Sequence, residues 1–112
     1  MLRASAEQTR HQVNLLSIVQ PHIDPELAYG RELIAFTDAA VLRDDDEMAL
    51  ARSRLVDVAG EAAMARASAV AGNFQMMNRL VDAAGVRVPQ PLQLLAADLG
   101  LTVPEYLVGP VA

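Results

Sequence analysis

The chain has 112 residues, of which 53% are apolar, 21% charged and only 4% aromatic, a composition that suits one compact domain packed from small and aliphatic side chains. Its nine basic residues are all arginine and are outnumbered by 14 acidic residues; the net charge of −5 argues against nucleic acid or an anionic membrane surface as a partner. The chain contains no cysteine, which excludes disulfides, thiol nucleophiles and thiolate metal sites.

Start and stop signals predict two helices in the first part of the chain. Ser5 to Gln8, SAEQ, reads as a capping box, so the first helix is expected to begin there and to end before Pro21. Residues 1–4 precede this signal and are predicted to be a disordered tail. A second helix is expected to begin with Asp24 as N-cap and Pro25 at the first helical position, and to continue to about Leu42.

The run DDDE at residues 44–47 predicts the start of a third helix rather than a cation site. Acidic side chains are favoured in a first helical turn, and the spacing lacks the Gly and the distal Glu of a calcium loop. Gly60 is expected to end this helix, and Glu61 begins the next one with almost no linker, which predicts a tight corner or hairpin of two helices.

A long central helix is predicted over about 61–84, with a well-marked end. Gly85 suits the left-handed position after a helix, and Pro89 prevents continuation. A shorter helix is expected from Pro91 to Leu99, followed by one last turn near residues 104–107. No segment alternates with period two, so we expect an all-α fold of five to six helices in a compact orthogonal or bundle-like arrangement, forming a single domain over 1–112.

The long helix is apolar on two sides. At about 100° per residue, one side predicts an ordinary core stripe. Its members are Ala63, Ala67, Val70, Phe74, Met77 and Val81. The opposite side carries small residues that allow close approach of another helix, namely Ala65, Ala69, Gly72, Met76, Leu80 and Ala83. A helix with two apolar faces is central or lies at an interface, so the second face predicts self-association as a homodimer or a larger oligomer.

Residues 36–89 show an ordered series of features: an Ala-rich helix, a turn at Gly60, and a long helix reading apolar-Asn-Phe-x-x-Met-Asn-Arg before a closing Ala-Gly-Val and Pro. In this order of features, about half of the chain resembles the C-terminal half of alkylhydroperoxidase-D-like proteins of the carboxymuconolactone decarboxylase superfamily. The resemblance implies an all-helical fold that assembles into dimers, trimers or hexamers.

The same resemblance limits the chemistry. Peroxidase members of that family use a Cys-x-x-Cys pair with nearby His and Glu, from a segment upstream of the matching part. Because this chain has no cysteine, thiol peroxidase activity is excluded and no catalytic residue is carried over. Asn73, Asn78 and Arg79 match family positions without an assigned catalytic role.

Five polar residues remain as candidates for a ligand site or for polar contacts at an interface. Asn73 and Asn78 lie beside the apolar faces, where each amide either hydrogen-bonds within packed helices or lines a pocket. Arg79 is expected to pair with Asp82 or Gln75 at the surface, with anion binding as the less favoured alternative. His22 and Glu26 are the one combination considered for metal or proton transfer, but no third ligand has suitable spacing, so no metal site is predicted.

Together these observations favour a non-redox, homo-oligomeric helical protein that acts by binding or assembly and uses no cofactor. One alternative is a proton-transfer enzyme, decarboxylase-like, with a pocket at a subunit interface formed by His22, Glu26, Asn73 or Arg79. Another is an accessory subunit of a different protein. A small-molecule ligand is compatible with either. No signal peptide or membrane span is present in the sequence, so we expect a cytoplasmic protein.

Overall fold

The computed structural model describes residues 14–108 of the chain. Within this part every regular element is helical, and no strand is present. In chain order the elements are a 3₁₀ helix Leu15–Ile18, α1 Gly30–Leu42, α2 Asp45–Ala59, α3 Glu61–Ala84, α4 Gln90–Asp98 and a second 3₁₀ helix Glu105–Leu107. The all-α prediction is confirmed, whereas the prediction of five to six helices is wrong for residues 14–108, which form four α-helices.

The first predicted helix lies largely outside the described residues, as does the predicted tail at residues 1–4. Its last turn is described and is a 3₁₀ helix, Leu15–Ile18, rather than an α-helix. Asn14 caps this turn, because its Oδ1 accepts a hydrogen bond of 3.1 Å from the Leu16 N–H. The Ser17 hydroxyl donates to the Asn14 carbonyl at 2.7 Å, so this buried polar side chain is satisfied locally.

The second helix begins at Gly30, not at Asp24 as the cap signals predicted. Asp24 does accept a hydrogen bond from the Glu26 N–H at 2.9 Å, but this bond closes a turn instead of capping a helix. Glu26 and Tyr29 both adopt left-handed backbone angles, with φ of 57° and 58°, which an α-helix cannot accommodate. Pro25 is buried against the start of α1, so tertiary packing overrides the local signals here.

Helices α1 and α2 form a hairpin around the main core. Arg43 ends α1 with a left-handed φ of 56°. The Asp44 carboxylate caps α2 by accepting from the Glu47 N–H at 3.1 Å, and the helix start predicted from the run at residues 44–47 is confirmed. Between the two helices lies a cluster of four buried residues, Phe36, Ala39, Ala51 and Leu55. Leu55 has no exposed surface at all. Leu33, Met48, Ala59, Met64 and Ala67 pack around this cluster.

The long helix has the bounds that the sequence predicted. Gly60 precedes it with a φ of 89°, and Gly85 follows it with a φ of 70°. The Val86 N–H donates to the Val81 carbonyl at 3.0 Å, which satisfies one of the last carbonyls of α3. Both glycines stand at angles that strain any side chain, so they fix the start and the end of α3.

The described residues fall into two compact units, 14–75 and 76–108, and the division lies within α3. The first unit holds α1, α2 and the first part of α3. In the second unit the Val88 N–H donates to the Leu107 carbonyl at 2.9 Å, and the Gln93 side-chain amide donates to the Val88 carbonyl at 2.8 Å. The prediction of a single domain over 1–112 stays a prediction.

Replacing Leu55 by Ala is expected to lower the free energy of unfolding by about 2–5 kcal/mol, because the fully buried side chain leaves a cavity. Leu42→Ala is the matched control: Leu42 is 77% exposed, so its loss is expected to cost less than about 0.5 kcal/mol. Urea unfolding of both variants measures the difference. Equal costs would contradict a core centred on Leu55.

Replacing Gly30 by Ala is expected to destabilise the protein by about 1–3 kcal/mol through overpacking. A Cβ at this position would lie 2.5 Å from Pro25 Cγ and 2.9 Å from Pro25 Cβ. Helix propensity alone predicts the opposite sign, a gain of up to about 1 kcal/mol. A rise in the thermal midpoint of Gly30→Ala would therefore contradict the close contact between Pro25 and Gly30.

Candidate functional site

Helix α3 exposes apolar side chains along most of its length. None of its residues is buried, although it is the longest helix of the described residues. The exposed large apolar side chains are Val70, Phe74, Met76, Met77, Leu80 and Val81, with exposures from 38% for Phe74 to 67% for Leu80. A helix of this composition normally buries its apolar stripe, so α3 is the most unusual surface of the described chain.

The side of α3 that meets the core coincides only in part with the one that the sequence predicted. In the first unit α3 packs on the core cluster through Met64 and Ala67, and farther along Ala71 and Gln75 are half-buried. Of the predicted core stripe only Ala67 packs there, whereas Val70 is 56% exposed. The packed edge lies roughly 80° around the helix from the predicted stripe. The predicted core stripe is therefore left largely open.

The face predicted to form an oligomer interface is accessible in full. All six of its residues are exposed: Ala65, Ala69, Gly72, Met76, Leu80 and Ala83. Gly72 is also free of steric neighbours, since a Cβ built there meets no atom within 4 Å. Both apolar faces of α3 are thus available for contact with another molecule.

The candidate pair His22 and Glu26 lies in the loop between the first 3₁₀ helix and α1. Both residues are exposed, and Glu26 has a left-handed backbone. No group of three or more His, Cys, Asp or Glu residues suited to hold a metal ion occurs between residues 14 and 108.

Asn73, Asn78 and Arg79 are all exposed on α3. Water is available to the two amides, so the cost of burying an unpaired amide does not arise. No buried side-chain polar atom of the described residues lacks a hydrogen-bond partner.

Two concave regions in the described part of the first unit are larger than a third, of about 170 Å³, which lies beside Arg31 and Ala51. One is a groove of about 290 Å³ lined by residues of α1, α2 and α3, among them Phe36, Met48, Arg52, Ser68 and Gln75. The other is a pocket of about 270 Å³ formed by residues between Asn14 and Asp38. Neither is lined by His22, Glu26, Asn73, Asn78 or Arg79. Sequence reasoning missed both, because each depends on packing between separate segments.

Comparison with known proteins does not assign the chain to a family. No known protein family, no curated protein and no solved structure matches the chain significantly. The resemblance to alkylhydroperoxidase-D-like proteins thus stays a prediction. Among the helices of residues 14–108, none is long and apolar enough to cross a membrane.

Replacing Gly72 by Ala is expected to stabilise the dilute protein by about 1 kcal/mol, because Ala is the better helix former and the site is open. Gly85→Ala is the matched control with the opposite sign. Its φ of 70° is expected to make Ala destabilising by about 1 kcal/mol. Denaturant unfolding at low micromolar concentration measures both changes. A destabilising Gly72→Ala would show that α3 is already closely packed at Gly72 in the dilute chain.

Proposed function

We propose that the protein is a non-redox, homo-oligomeric helical protein that acts by binding or assembly, and that α3 supplies the contact between copies. The supporting observation is the exposure of apolar side chains over most of a helix of 24 residues. The absence of cysteine excludes thiol redox chemistry. The alkylhydroperoxidase-like fold and a cytoplasmic location are part of the same proposal.

The distribution of side-chain sizes along α3 favours a second copy as the partner. The first half of the exposed face is small, with Ala65, Ala69 and Gly72, whereas the second half carries Met76 and Leu80. In a twofold pair of antiparallel α3 helices, the small half of each copy faces the large half of the other. A twofold contact uses the same surface twice, and it is the commonest symmetry of soluble oligomers.

Replacing Leu80 by Glu is expected to weaken the dimer about 30-fold or more. The substitution removes about 1 kcal/mol of apolar burial on each of two copies and places a charge in the contact. Because Leu80 is 67% exposed, the fold of the single chain is expected to persist. Sedimentation equilibrium of the variant and the unmodified chain measures the two dissociation constants.

Leu42→Glu is the matched control for this experiment. Leu42 is the last residue of α1, it is 77% exposed, and it lies off α3. The two substitutions add the same charge near the end of a helix, so effects of charge and of the helix dipole are similar in both. The proposal fails if the unmodified chain is monomeric at micromolar concentration, or if Leu42→Glu weakens association as strongly as Leu80→Glu.

A further inference from the structure

The pocket of about 270 Å³ in the first unit has a fixed apolar wall. Leu27, Leu33 and Ile34 contribute side chains from the loop and from the first turns of α1, and Leu15 and Ile18 contribute from the 3₁₀ helix. The volume is near the lower end of the range for small-molecule sites in proteins. A small apolar body, such as one aromatic ring with a short aliphatic chain, suits this space.

Main-chain bonds and close packing hold the pocket open. The Asn14 N–H donates to the Pro25 carbonyl at 3.0 Å, which ties the 3₁₀ helix to the loop. Pro25 is buried and packs on Gly30, where the absence of a side chain permits the contact. The left-handed residues Glu26 and Tyr29 lie on either side of Leu27. The wall therefore does not depend on the pocket being filled.

Of the polar groups that line the pocket among the described residues, one charged carboxylate has no hydrogen-bond partner. The Ser17 hydroxyl donates to the Asn14 carbonyl, and the Thr37 hydroxyl donates to the Leu33 carbonyl at 2.8 Å. The Asn14 Oδ1 caps the 3₁₀ helix. Asp38 also lines the pocket, is exposed, and forms no hydrogen bond or ion pair with another residue of 14–108. Among the described lining residues Asp38 is the one carboxylate, and an apolar wall beside it is complementary to a molecule with an apolar body and one positive charge.

We propose that this pocket binds an amphipathic amine, with the apolar body against Leu33 and Ile34 and the ammonium group at the Asp38 carboxylate. The charge complementarity favours this occupant over an amphipathic acid, which Asp38 repels, and over a neutral apolar molecule, which gains no attraction from the exposed carboxylate. The site is separate from the exposed face of α3, so the proposal does not depend on self-association.

Titration of the full-length chain with three probes of similar size tests the proposal. The probes are 4-phenylbutylamine, 4-phenylbutanol and 4-phenylbutyrate, which share a phenyl ring on a four-carbon chain and carry a positive, a neutral and a negative head group. Methyl resonances of Leu27, Leu33 and Ile34 report binding at the pocket, and methyl resonances of Leu80 report binding on α3. The amine is expected to bind the pocket about tenfold more tightly than the carboxylate, because Asp38 attracts one and repels the other.

Two variants test whether the Asp38 carboxylate is the charge that attracts the amine. Asp38→Asn is expected to weaken binding of the amine about twofold to fivefold, the range that an exposed ion pair supplies, and to leave binding of the alcohol unchanged. Asp57→Asn is the matched control, because Asp57 is an exposed carboxylate on α2 that does not line the pocket. It is expected to leave all three affinities unchanged.

Three outcomes would overturn the proposal. The first is equal affinity for the three probes, and the second is an equal loss of amine binding in Asp57→Asn and Asp38→Asn. The third is the absence of saturable shifts at the pocket methyl groups, which is the result expected if another part of the chain or a second copy occupies the pocket.

Discussion

The packing of Phe36 and Leu55 between α1 and α2 is the contact on which the rest of the first unit depends. These two side chains, with Ala39 and Ala51, fill the core of the hairpin and leave little depth for further large residues. Helix α3 packs on this core through the edge that carries Met64 and Ala67. Within the first unit, Val70 and Phe74 of α3 lie outside this packed edge and are 56% and 38% exposed.

This constraint links the fold to the proposed function. A short hairpin core is sufficient to order the first part of α3, while the apolar side chains on the other sides of the helix stay in water. The resulting surface is costly in an isolated chain, since each exposed large side chain forgoes about 1 kcal/mol that burial would contribute. In the proposed homo-oligomer, a second copy would supply the missing packing with the same kind of surface.

Local signals predicted the helix ends well, and long-range packing explains where they failed. Asp44, Gly60 and Gly85 act through their own backbone and nearest neighbours, so the bounds of α2 and α3 could be read from the sequence. The start of α1 could not, because the contact of Pro25 with Gly30 outweighs an otherwise good N-cap at Asp24. Periodicity likewise showed two apolar faces on α3, but it carries no information on which neighbour each face meets.

For the candidate site, too, one feature could be predicted from the sequence and another could not. The accessibility of the face that includes Gly72 and Leu80 could be predicted, because it follows from an excess of apolar surface on one helix. The pocket beside Asp38 could not, since its walls come from segments that sequence reasoning assigned to two continuous helices. The pocket owes its shape to the turn at residues 24–29. The sequence of this turn contains residues typical of helix caps, but nothing in it indicates left-handed backbone angles.

The most direct test of the central claim is an isotope-filtered NOE experiment on an equal mixture of ¹³C-labelled and unlabelled chain at a concentration near 1 mM. Such a sample reports only contacts between two different copies. Self-association through α3 predicts intermolecular contacts at the methyl groups of Met76 and Leu80, with their partners among the small residues near Gly72. Intermolecular contacts confined to other surfaces, or none at all, would contradict it.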